Sequence, residues 1–144
     1  MKAIAEWLYA TLKGSDDLLT YTGGTSTNPR MFYFYPPENV IYSATNASIS
    51  YFLLTSSALP TEPIYAIQRP DETYQISIFS KSKAVCENCL TTIDSLLNRK
   101  FNAAPTGWKI RNIHRTAQRD LYEQEDHIFH KMLEYTFYGI YVKS

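Results

Sequence analysis

Residues 128–141 form a run without proline in which Gly139 is the only glycine. The run is rich in aromatic and aliphatic side chains, so it reads as one continuous strand. At about 3.3 Å per residue it would extend roughly 45 Å. That exceeds the ~37 Å diameter that chain-length scaling gives a compact domain of this size. The strand must therefore bend sharply or project into a neighbour. Period-two alternation puts Phe129, Leu133, Tyr135, Phe137 and Tyr141 on one face. Ile128, Met132, Tyr138 and Ile140 fall on the other, beside His130, Glu134 and Thr136. Both faces call for cover.

The rest of the chain supplies partners for that strand. Ile4, Trp7, Leu8, Thr11 and Leu12 lie on one face of an amphipathic helix that Gly14 ends, and Ser15 or Asp16 can cap a short helical turn through Leu19. Glu6 and Lys13 interrupt the apolar stretch and no small-residue cleavage site follows, so the expectation is an amphipathic helix and not a secretory signal. Residues 23–29 read as a flexible polar loop, 31–35 as a strand stopped by Pro36 and Pro37, and 48–55 as another strand. Residues 57–63 make a further loop, followed by a short strand over 64–68. Residues 73–80 alternate, with Tyr74, Ile76 and Ile78 pointing one way and Gln75 and Ser77 the other, as in a half-buried antiparallel strand. A helix over 82–100 sets Val85, Cys89, Ile93, Leu96 and Leu97 on one stripe. A turn at 103–107 then leads into a strand over 108–118 that pairs with the last one as a long hairpin. The expected architecture is α+β, a mainly antiparallel sheet with two helices packed on one face, in a single domain spanning residues 1–144.

Charge and composition narrow the function. Fourteen basic and fourteen acidic residues cancel, so no net field attracts nucleic acid or an anionic membrane. No segment approaches the roughly 20 apolar residues that span a bilayer, and the expectation is a soluble protein made in a reducing cytoplasm. Twelve tyrosines and seven phenylalanines are a large aromatic share, and aromatic enrichment marks interfaces.

Candidate chemistry is thin. Cys86 and Cys89 have a redox spacing, but they lie about a turn into the helix. Cys89 falls on the apolar stripe, so it reads as core and Cys86 as a partly buried flank. Adding His127 and His130 would give four zinc-type ligands. An extended backbone would send those two rings to opposite faces, and the gap between the pairs matches no common finger. No nucleophile elbow and no phosphate-binding loop is present. Asp16 and Asp17 suit the first turn of a helix, where acids complement the dipole. No catalytic residue, metal or cofactor is assigned.

The constellation that points to assembly is electrostatic. Lys109, Arg111, Arg115 and Arg119 all have odd numbers, so an unbroken strand would align them on one face with Ile113 and Ala117. Asp120, Glu123, Glu125 and Asp126 follow. The bland reading is a solvated surface with pairs worth about 0–1 kcal/mol each. The functional one is that the basic strand of one subunit meets the acidic turn of the next in a ring.

Three stretches carry a resemblance. Arg119-Asp120-Leu121-Tyr122-Glu123 with the strand ending Leu133-Glu134-Tyr135-Thr136-Phe137-Tyr138 resembles the tail completion (tail terminator, head-to-tail joining) proteins of long-tailed bacteriophages. Trp7-Leu8-Tyr9-Ala10-Thr11-Leu12-Lys13 with Asp16-Asp17-Leu18-Leu19 is similar to the family's first helix and the turn after it. Tyr74-Gln75-Ile76-Ser77-Ile78-Phe79-Ser80, running into the helix, resembles its central strand and helix. The resemblance implies a homo-hexameric ring at the head-proximal end of the tail tube, in the neck of the virion, assembled in the host cytoplasm. It would end tube polymerisation and meet the head-tail connector proteins. The implied partners are sister copies, the major tail tube protein and the connector, with phage DNA passing through the lumen without specific binding and no membrane contact. The resemblance also suggests copies that stay monomeric until they meet a tail. Loops that order on docking suit such contacts. Gly24, Asn28, Arg30, Tyr35, Glu38 and Tyr42 are the candidates. The rival readings are a nucleic-acid-binding α+β module built on aromatic strands beside Arg111 and Arg115, and a small redox or metal protein resting on Cys86 and Cys89 alone.

Overall fold

A computed structural model describes residues 2–34, 46–56 and 69–142. Helix α1 (Lys2–Lys13) buries Ile4, Leu8 and Leu12, four residues apart and hence on one stripe. Helix α2 (Asp16–Thr22) starts where the Ser15 hydroxyl accepts from Leu18 N at 3.3 Å. It stops at Gly23, whose φ of 69° is the left-handed turn that glycine adopts without strain. The expected turn through Leu19 is thus a third helix.

Strands β1 (Met31–Tyr33), β2 (Ser48–Ser56), β3 (Glu72–Ser80), β4 (Lys100–Ala103), β5 (Trp108–Glu123) and β6 (Ile128–Val142) form one sheet in the order β1-β2-β3-β6-β5-β4. Every pairing is antiparallel except β1 with β2. Helix α3 (Lys83–Leu97) lies between β3 and β4 in sequence and is capped by the Ser82 hydroxyl.

All three helices cover the same face. Tyr74, Ile76 and Ile78 of β3 oppose Tyr135, Leu133 and Lys131 of β6. The apolar members of that set are buried together with Phe137, Cys86, Cys89, Ile93 and Leu97. Trp7 sets its ring edge-on to Phe137 at 6.1 Å, and Tyr9 stacks on Tyr51, tying α1 to the same layer. A buried aliphatic side chain of this kind is worth about 1.5–3 kcal/mol.

The long strand does not project bare into solvent. It is flanked by β3 from Phe129 to Phe137 and by β5 along its whole length. Its extended backbone is interrupted at Gly139, where φ is 64°. Strand β5 runs five residues past the expected end at Gln118, and the helix expected to reach Lys100 stops at Leu97, so that β4 takes up Lys100 and the first residue of the turn expected over 103–107. The strand expected over 64–68 lies outside the described residues.

Candidate assembly surface

The β5–β6 hairpin carries the charged residues, and its register decides where each one points. Pairing runs Trp108↔Val142 to Arg115↔Tyr135, then shifts so that Ala117 faces Glu134 and Arg119 faces Met132. Thr116 is the extra residue of this bulge, and its hydroxyl reaches both the Glu134 carbonyl at 3.4 Å and the Thr136 hydroxyl at 3.3 Å. One inserted residue reverses the face of everything beyond it. Arg115 lies on the helix-covered face with Tyr135, whereas Ala117 and Arg119 lie on the opposite face. The expected alignment of the basic residues on a single face therefore fails, because it assumed an unbroken period of two.

Two of the charged candidates form ion pairs within the chain. Arg115 Nη1 sits 3.2 Å from Asp94 Oδ1, and Tyr135 donates its hydroxyl to that oxygen at 3.0 Å. Lys131 Nζ donates to Asp120 Oδ1 at 3.0 Å. Lys131 is almost fully buried while Asp120 stays exposed, and the hydrogen bond from the ammonium holds the Asp120 carboxyl below the usual range. The value of this pair lies chiefly in not leaving the buried lysine unpaired. Arg111 extends over the Tyr141 ring at 5.2 Å, against the bare α-carbon of Gly139. Arg119, Glu123, Glu125 and Asp126 are exposed and Lys109 is half-buried, with no ion pair among the described residues.

At the tip, His127 takes a φ of 54° and its Nδ1 meets the Tyr122 hydroxyl at 2.9 Å. Leu121 and Tyr122 are nearly half exposed, an expense in apolar surface that interfaces commonly recover.

The docking-loop candidates divide. Thr25 and Asn28 exchange backbone hydrogen bonds at 3.1 and 3.2 Å, so the segment expected to be flexible is a stitched turn. Gly24 packs so tightly there that a Cβ would meet Arg30 N at 2.9 Å. Arg30 donates to the Ser48 hydroxyl at 3.4 Å and is anchored to the sheet. Tyr35, Glu38 and Tyr42 lie outside the described residues.

An aromatic recess at the other edge of the sheet was not expected. Tyr9, Tyr33, Tyr51, Tyr74 and Leu53 line a hollow of about 470 Å3, with Lys2 and Glu6 at its rim. Burial, then the neighbouring Tyr9 and Tyr33, push the Tyr51 phenol up to about 12. The alternation in β2 hinted at Tyr51, but the parallel docking of β1 that brings Tyr33 to it has no local signature.

Both cysteines are fully buried, Cys86 included, and burial raises their thiols to about 11 and about 12. The four residues of the hypothetical zinc set do not converge: the thiols lie under α3, His127 bonds Tyr122, and His130 stacks on Phe79 with centroids 4.1 Å apart. Among the described residues, no cluster of three or more histidines, cysteines or carboxylates could hold a metal ion. No described helix is long and apolar enough to cross a membrane.

No protein-family model matches the chain, and no curated protein matches it. Among solved structures, a chain from the virion of a native gene transfer agent particle has a similar fold, with a TM-score of 0.66 over 92% of this chain and 91% of that one. The two sequences are 9% identical, so the likeness is one of architecture.

Proposed function

We propose that this chain is a structural protein of a phage-type virion, and that six copies close into a ring at the head-proximal end of the tail tube. The observation that carries the reading is the correspondence, over almost the full length of both chains, with a chain of a gene transfer agent virion. The finer assignment to a tail terminator rests on the three stretches that resemble tail completion proteins. In the ring, Lys109, Arg111 and Arg119 of one copy face Glu123, Glu125 and Asp126 of the next. Arg115 and Asp120 join them only by sharing Asp94 and Lys131, their present partners. Partial desolvation of such pairs sets orientation more than affinity.

The role proposed is structural, in keeping with the virion chain of similar fold, and the thiol pair with a redox spacing sits where thiolates are disfavoured. One face of the ring caps the growing tube and the other presents to the head connector, with Gly24, Asn28, Arg30, Tyr35, Glu38 and Tyr42 among the docking residues. DNA passes through the lumen without specific binding, which fits a chain with no net charge.

Deleting the gene tests this. The expected result is tails of uncontrolled length, or tails separated from filled heads. Normal, joined particles from the deletion mutant would overturn the reading.

A further inference from the structure

Beyond Arg115, β5 has no strand on its outer side among the described residues. Strand β4 reaches only as far as Lys100↔Ile113. Arg99 N then donates to Ile113 O at 2.7 Å, and the Asn98 side chain accepts from Arg115 N at 2.9 Å. Ile113 and Arg115 thus turn their backbone groups outward, away from β6. The bulge reverses that phase: Ala117, opposite Glu134, turns toward β6, so the outward groups become those of Gln118, Asp120 and Tyr122. Residues 116–123 are all exposed. Among the described residues the sheet ends here on an open edge several residues long, a feature that invites pairing.

We propose that this edge pairs, antiparallel, with the same edge of a second copy, about a two-fold axis at Leu121. Charge complementarity selects that register. Only pairings that match the outward groups of residues 118, 120 and 122 with one another form hydrogen bonds. An axis at Arg119 sets that arginine against its own copy, and one at Asp120 sets two aspartates face to face. An axis at Tyr122 leaves only that outward residue paired within the strand, because Asp120 then falls opposite Gln124 in the turn at 124–127, whereas an axis at Leu121 keeps both Asp120 and Tyr122 paired. At Leu121, by contrast, Arg119 lies opposite Glu123 of the second copy, and Glu123 opposite its Arg119. The two exposed leucines meet on the axis, and Asp120 meets Tyr122. Directly opposed residues share a face, so each ion pair forms on the side of the sheet away from the helices.

The inference goes beyond the ring and does not rest on it, and it puts a monomer–dimer equilibrium in place of the free monomer that the family resemblance implies. It has a consequence for the ring, because the pair occupies Arg119 and Glu123. Edge-paired copies must separate before they can close head to tail, which would hold the free protein back from forming empty rings.

Sedimentation of the full-length chain over a wide concentration range tests the pairing, with circular dichroism confirming that each variant folds. The expected result is a monomer–dimer equilibrium that R119E weakens by about tenfold or more, since two attractive cross-strand contacts become repulsive. The R119E/E123R double variant recovers dimerisation, as does an equimolar mixture of R119E and E123R. A wild-type chain that stays monomeric throughout, or a dimer indifferent to R119E, would overturn the proposal. Neither result touches the virion reading, which stands or falls on tail length in the deletion mutant.

Discussion

Tyr135 donates its hydroxyl to Asp94 Oδ1 at 3.0 Å, across the boundary between the central strand β6 and helix α3. Arg115 of β5 comes within 3.2 Å of the same oxygen, so one carboxylate ties two strands to the helix that covers them. Burial and then the Asp94 charge push the Tyr135 phenol well above its ordinary range, so it remains a donor at any physiological pH. Replacing Asp94 with Ala strands a buried hydroxyl. The expected loss is about 1–3 kcal/mol in urea unfolding, and Tyr135→Phe in the D94A background should recover part of it. Equal costs for D94A and D94A/Y135F would show that the hydroxyl is not stranded.

Gly139 interrupts β6 with a φ of 64°, and a Cβ there would come within 2.8 Å of the Arg111 side chain. Gly139→Ala is expected to destabilise the fold by roughly 1–2 kcal/mol from backbone strain, with a further contribution from the collision. Adding R111A relieves the collision and leaves the strain, so the double variant should lie between G139A and the wild type. Thermal unfolding of the three proteins measures both parts.

The thiols of Cys86 and Cys89, raised to about 11 and about 12 by burial, are almost wholly protonated at pH 8. Modification by a disulfide reagent at that pH should be at least about a hundredfold slower in the native protein than in urea, because thiolate is the reactive form. Raising the pH to 9 should accelerate the native reaction only in proportion to the thiolate gained. Rapid native modification of either residue would restore the redox reading that the spacing first suggests.

His130 stacks on Phe79 with its Nε2 buried and unpartnered, and burial lowers its pKa below 6.5. The unfolded chain therefore binds a proton more readily than the folded one. Stability should be fully present above 6.5 and fall as pH drops through the folded pKa, by no more than about 1.4 kcal/mol per pH unit. His130→Phe should keep the stack and remove this component of the acid sensitivity. An unchanged pH profile in H130F would assign the sensitivity to other groups.

The sequence alone determined the elements whose side chains repeat with a clear period. The 3.6-residue stripe of Ile4, Leu8 and Leu12 and the two-residue alternation of Tyr74, Ile76 and Ile78 each declare one buried face, whatever covers it. The long hairpin was legible for the same reason, and so was the α+β class. What tertiary structure decided is where that period breaks. Thr116 carries no local mark of a bulge, yet it sends Arg115 to the helix face and Arg119 to the other, because the shift is fixed by pairing with Glu134 and Tyr135 across the sheet. The internal partners of Arg115 and Asp120, the recess between β1, β2 and α1, and the burial of Cys86 likewise arise from residues distant in the chain. Periodicity reports the direction a side chain takes from its own backbone. It is silent on which neighbour waits there, since that depends on register and layer order, which only the folded sheet fixes.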